Sequence, residues 1–136
     1  MRFALPAFLA LSAPALADLY VVNCTSSSQI GGGLTSCDAK VDITLNSDGG
    51  THSYELTVAA PATHCSEVVY QILGPGMTNA VSTPKLAPGR SMRVFLTKDL
   101  PAGSHTYTIR ALGVIGGCNV GAMSSWGVEV TPRIRP

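Results

Sequence analysis

The amino-acid sequence predicts an all-β protein, a two-sheet antiparallel sandwich of seven to eight short strands. Three observations predict it. Apolar and polar residues alternate with period two through most of the chain, as in strands with one face buried and the other in solvent. No window of helical length carries apolar residues at i, i+3, i+4 and i+7. Clusters rich in Gly, Pro and Asp punctuate the alternating runs, as turns between strands do. Strands buried on one face pack face to face, and a sandwich results.

Taken in order, the chain opens with a leader. Arg2 supplies a short positive region, FALPAFLALSAPAL is apolar and small, and Ala15-Leu16-Ala17 fits the A-x-A pattern of signal-peptidase substrates. The apolar run is shorter than the roughly 20 residues a spanning helix needs, and Pro6 and Pro14 interrupt it. Residues 1–17 are therefore expected to be a removed secretory signal, with a look that suits a bacterial exporter. A single domain is expected over 18–136. Without Arg2 the nine basic residues become eight, equal to the eight acidic ones. A neutral chain argues against nucleic acid and against an anionic membrane surface, both of which favour a basic patch. With 46% hydrophobic and 12% charged residues, the composition is that of a filled core, not of a disordered chain.

LYVVN (19–23) reads as a short first strand. NCTSSSQIGGGLTSC (23–37) follows, a Ser/Gly stretch bracketed by cysteines, and reads as a stapled loop. In CDAKVDITL, Cys37, Ala39, Val41, Ile43 and Leu45 alternate with Asp38, Lys40, Asp42 and Thr44, a half-buried strand. NSDGGT (46–51) turns, and HSYELTVAA alternates again through Tyr54, Leu56 and Val58, so these two strands are expected to form a hairpin. SEVVYQIL (66–73) is more continuously apolar, as a strand covered on both faces would be. SMRVFLT (91–97), HTYTIRAL (105–112) and WGVEVTP (126–132) complete the set, each bounded by Pro or Gly.

LPAGSHTYTIRAL (Leu100–Leu112) resembles the segment of fibronectin type III and related immunoglobulin-like domains in which a Leu-Pro-Gly turn leads through Thr and Tyr into strand F. The resemblance implies that Tyr107 is the tyrosine-corner residue, its ring in the core and its hydroxyl bonded to upstream backbone. It makes SMRVFLT strand E and WGVEV strand G. The tryptophan that fibronectin type III domains carry in strand B is missing, and no cysteine follows Tyr107 by two residues. The resemblance implies a fold and says little about activity.

Four cysteines in a small exported domain point to two disulfides, with three possible pairings. Cys24 ends one strand and Cys37 begins the next, so antiparallel pairing brings them to the same end. Their bridge would contribute roughly 3 kcal/mol through loop-closure entropy. Cys65 precedes the strand that the resemblance makes C, and Cys118 follows the one it makes F. C and F are antiparallel neighbours in that fold, so Cys65–Cys118 is the expected second bridge.

The chemistry-bearing motifs are few. Cys24 and Cys37 lack the short knuckle spacing of a zinc site, and Gly33 is followed by Leu34 where a phosphate loop needs Lys and a helix. Cys118 and Met123 with a remote His64 or His105 make a poor copper set, because the histidine between the sulfur ligands is missing. No metal or cofactor is expected. Neither a G-x-S-x-G elbow nor H-E-x-x-H occurs, and the acids Asp38, Asp42, Glu55, Glu67 and Glu129 are isolated on polar strand positions. His52, His64 and His105 read as solvated residues, with His64 beside Cys65 the least bland. Trp126 is the one candidate aromatic platform, against its alternative as a plug in the sandwich end.

The sequence thus points to an exported bacterial immunoglobulin-like module, binding or structural and without catalytic activity. Its partner would be a protein or another envelope or extracellular component. The alternatives are a subunit of a surface fibre or adhesin, and a small secreted enzyme or enzyme inhibitor using the loop end near His64. Candidate partner-binding residues are His64, Gly116, Gly117, Asn119 and Trp126, at the end the second disulfide would hold rigid. Ligand identity and oligomeric state are left open.

Overall fold

The structure, a computed structural model, describes residues 17–136. Apart from Ala17, the expected leader of residues 1–17 lies outside the described residues. Nine strands follow: β1 (Asp18–Asn23), β2 (Ser27–Gly31), β3 (Leu34–Ser47), β4 (Ser53–Ala59), β5 (Val68–Leu73), β6 (Val81–Ser82), β7 (Ser91–Lys98), β8 (Gly103–Val114) and β9 (Ser125–Arg135). They form a four-stranded sheet of order β1-β9-β4-β7 and a five-stranded sheet of order β2-β3-β8-β5-β6. Every neighbouring pair is antiparallel.

The count exceeds the expected seven or eight because β2 and β6 carry no alternation. In SSQIG four of five residues are exposed, and β6 is two residues long. The Ser/Gly stretch is thus not a loop but the hairpin β2–β3. Its turn runs through Gly31, Gly32 and Gly33, all at positive φ, where only glycine sits without strain.

The alternating positions point where the pattern says. Val41, Ile43 and Leu45 of β3, Tyr54, Leu56 and Val58 of β4, and Val128 and Val130 of β9 fill the space between the sheets. Each such side chain, fully buried, contributes about 1.5–3 kcal/mol. Three tyrosines with no exposed surface, Tyr54, Tyr70 and Tyr107, stand among them. A buried hydroxyl needs a partner, and each finds one at 2.6 Å: Ser47 Oγ, the Gly127 carbonyl and the Pro75 carbonyl respectively. Burial raises the Tyr70 phenol above its ordinary range, helped by the charge of Glu129.

Two expectations about partners are corrected. The strands around NSDGGT do not pair: β3 joins β8 and β2, whereas β4 joins β7 and β9. The segment between them crosses from one sheet to the other. Alternation reveals which face a strand buries, not which neighbour it takes.

The last strand is likewise not a strand G. In an immunoglobulin-like sandwich G lies beside F; here β9 lies between β1 and β4, and the place beside β8 belongs to β3. The expected neighbours β5 and β8 do pair. As expected, the Tyr107 ring is buried and its hydroxyl donates to upstream backbone, the Pro75 carbonyl 32 residues earlier in the chain. The TPRIRP tail, except Pro136, is part of β9. Pro132 is tolerated there because β1 reaches only to Val130, which leaves that stretch with an open edge.

Candidate functional site

The connection from β4 to β5 and the connection from β8 to β9 meet at one end of the sandwich. The Cys65–Cys118 disulfide joins them, with Cα atoms 5.5 Å apart, and Cys24–Cys37 closes the base of β2 and β3 with the same Cα separation. No cysteine is free. Two disulfides indicate an oxidising, extracytoplasmic environment.

Hydrogen bonds fix this end further. Gly116 and Asn119 exchange N–H···O bonds of 2.7 and 2.8 Å around a tight turn. Ser66 Oγ donates to the Gly116 carbonyl at 2.6 Å and accepts the Asn119 amide at 3.0 Å. Gly117 sits at φ +52°, and a Cβ there would fall 2.3 Å from the Cys65 carbonyl oxygen. The amide of Gly116, a candidate partner-binding residue, is thus used inside the turn. Asn119 packs its amide over Gly113, where a Cβ would come within 2.3 Å of Nδ2, and accepts the Gly121 N–H through Oδ1. The loop is also stitched to the hairpin: Thr35 Oγ1 donates to the Gly121 carbonyl, and Met123 N–H donates to Ser27 Oγ.

Between these loops lies a cavity of about 280 Å³, walled by His64, Ser66, Glu67, Asn119, Met123 and Trp126. The structure thus brings together His64, Asn119 and Trp126, with Gly116 and Gly117 forming the adjoining turn. Trp126 is not an exposed platform: it is 2% exposed, with its ring 6.0 Å from that of Tyr70. Its Nε1–H is buried without a hydrogen-bond partner among the described residues.

His64 is half-buried, and its Nε2 accepts the Gly127 N–H at 3.1 Å. An accepting Nε2 carries no proton, so the neutral ring holds its proton on Nδ1. Burial keeps the imidazole pKa below its ordinary value, which favours that form. His52 and His105 lie elsewhere, His52 against Asp48 and His105 donating to the Pro101 carbonyl. Among the described residues no group of three His, Cys, Asp or Glu side chains is placed to hold a metal ion. Of the other wall residues, the sequence did not single out Ser66, and it marked Glu67 only as an isolated acid and Met123 only as part of a poor copper set. Gly113, next to the end of β8, was the available signal for Met123, because a glycine in a strand marks a close approach.

No protein-family model matches the chain, and no curated protein matches it. Among solved structures it is similar to the mitogen of Yersinia pseudotuberculosis, at 15% identity over 86% of each chain with a TM-score of 0.40. It is also similar to a carbohydrate-binding module, CBM36, in complex with calcium and xylotriose, at 9% identity over 87% of this chain and 92% of the other, TM-score 0.33. A third is the module CBM6cm-2 of Cellvibrio mixtus lichenase 5A with cellotriose, at 15% identity over 88% and 89%, TM-score 0.32. Likenesses at these scores define neither the type of sandwich nor a ligand.

Proposed function

We propose that the protein is an exported, non-catalytic binding module, and that its disulfide-held loop end receives a protein or another extracytoplasmic component. The observation that carries this reading is the roughly 280 Å³ cavity whose walls are tied by Cys65–Cys118 and by the Ser66–Gly116–Asn119 hydrogen bonds. A recess fixed in advance loses little conformational entropy when it is filled. The leader-like N-terminus supports export. The use of His64 Nε2 as acceptor for a main-chain amide supports a binding role over proton transfer, since its lone pair is already engaged.

The test is capture of partners from native envelope or medium, followed by measurement with purified components. His64→Ala and Asn119→Ala are expected to weaken binding by about tenfold each, about 1.4 kcal/mol, with Asp48→Ala at the opposite end unchanged. If Asp48→Ala alone weakens binding, the loop end is not the site.

A further inference from the structure

The outer face of the five-stranded sheet carries a second groove, of about 420 Å³, across β3, β8 and β5. It shares no lining residue with the loop-end cavity. In it Lys40 of β3 stands directly opposite Arg110 of β8, which in turn pairs with Gln71 of β5. Both cations are exposed, and among the described residues neither forms an ion pair with a carboxylate. Like charges directly opposed across a ladder repel and destabilise the sheet.

A β-bulge creates this arrangement. Ser36 pairs with Leu112 and Lys40 with Arg110, so β3 uses four steps where β8 uses two. A regular ladder would have set Asp38 opposite Arg110, a favourable pair. Instead Asp38 turns to the β1–β2 connection, where Oδ1 accepts the amides of Thr25 and Ser26 at 2.9 Å and Oδ2 accepts the Thr25 hydroxyl. Asp42, the next acid along β3, accepts the Thr108 hydroxyl at 2.9 Å. Asp38 is thus committed outside the groove, whereas Asp42 is held by Thr108 of the groove wall and, among the described residues, pairs with neither cation; bulges commonly re-aim side chains at functional positions.

We propose that this groove is an oxyanion site, in which Lys40 and Arg110 together hold a carboxylate, sulfate or phosphate group. The guanidinium offers two parallel donors to one face of such a group, and the ammonium supplies a point charge beside it. Thr106 adds a hydroxyl to the same groove, and the exposed Leu73 gives it an apolar margin. The bound anion removes the repulsion that the bare pair carries. This site is independent of the loop end, and either can fail without the other.

The experiment is an amide-resolved NMR titration of the disulfide-bonded protein with sodium sulfate, phosphate and acetate, at ionic strength held constant with chloride. Saturable shifts confined to Lys40, Gln71 and Thr106–Arg110 are expected with at least one of the three. Saturation by acetate as well as the dianions assigns a carboxylate-bearing ligand; saturation by sulfate and phosphate alone assigns a doubly charged one. Lys40→Gln and Arg110→Gln are each expected to weaken the apparent Kd by at least about tenfold, with Arg93→Gln on the other sheet changing it less than about twofold. Without anion, Lys40→Gln should melt no lower than the wild type, which also verifies its fold. Linear shifts spread over all basic residues, or an unchanged Kd in Lys40→Gln, overturn the proposal.

Discussion

His64 shows how one side chain links the site to pH. Its neutral ring accepts the Gly127 N–H, and burial depresses its pKa below the 6.5 of a free imidazole. Above about pH 6.5 both folded and unfolded chains hold it neutral, and its contribution to stability is complete. As pH falls below that value the unfolded chain takes up a proton that the folded chain refuses, and stability drops until the folded-state pKa is passed. Urea unfolding between pH 8 and 5 should therefore show a decline that is smaller in His64→Gln, whose amide oxygen can accept the same N–H without titrating. An identical decline in both proteins would remove His64 as its source.

At the scale of elements, two glycine turns carry different loads. In the β2–β3 turn Gly32 has φ +66° and nothing within 4 Å of a built Cβ. Gly32→Ala should therefore cost only the backbone term, about 1–2 kcal/mol. In the β8–β9 turn Gly117 has a similar positive φ, but its Cβ would strike the Cys65 carbonyl. Gly117→Ala should cost clearly more, because the backbone that holds the disulfide must also move. Thermal or urea unfolding of the two variants checks the order, and equal costs would show that the loop end yields easily. The bulge in β3 belongs to the same scale: one local shift in register sets Lys40 beside Arg110.

For the whole molecule, the two disulfides differ in reach and in access. Cys65–Cys118 spans 53 residues and Cys24–Cys37 spans 13. Loop-closure entropy then assigns them about 4 and about 3 kcal/mol. Cys65 and Cys118 are both exposed, whereas Cys37 is 5% exposed in the core. A limiting dithiol should thus open Cys65–Cys118 first, and the double variant Cys65→Ser with Cys118→Ser should lose more stability than Cys24→Ser with Cys37→Ser. Mass spectrometry of alkylated peptides reads the first expectation and urea midpoints read the second. Prior reduction of Cys24–Cys37 would mean that exposure does not control access here.

The sequence by itself determined the all-β class, the inward faces of β3 and β4, and the pairing of Cys24 with Cys37, whereas Cys65–Cys118 was expected only through the resemblance to immunoglobulin-like domains. Period-two alternation is a local property, so Val41, Ile43 and Leu45 declare their side of the sheet without reference to any partner. The pairing of Cys24 with Cys37 needs little more, since the residues are close in the chain. Tertiary structure alone decided that β3 and β4 belong to different sheets and that β9 lies beside β4 rather than β8, because a ladder is chosen by packing across the whole sandwich. It also decided that the Trp126 ring is a wall and not a platform. The same holds for Lys40 and Arg110, 70 positions apart, because their meeting depends on a bulge that no residue pattern announces.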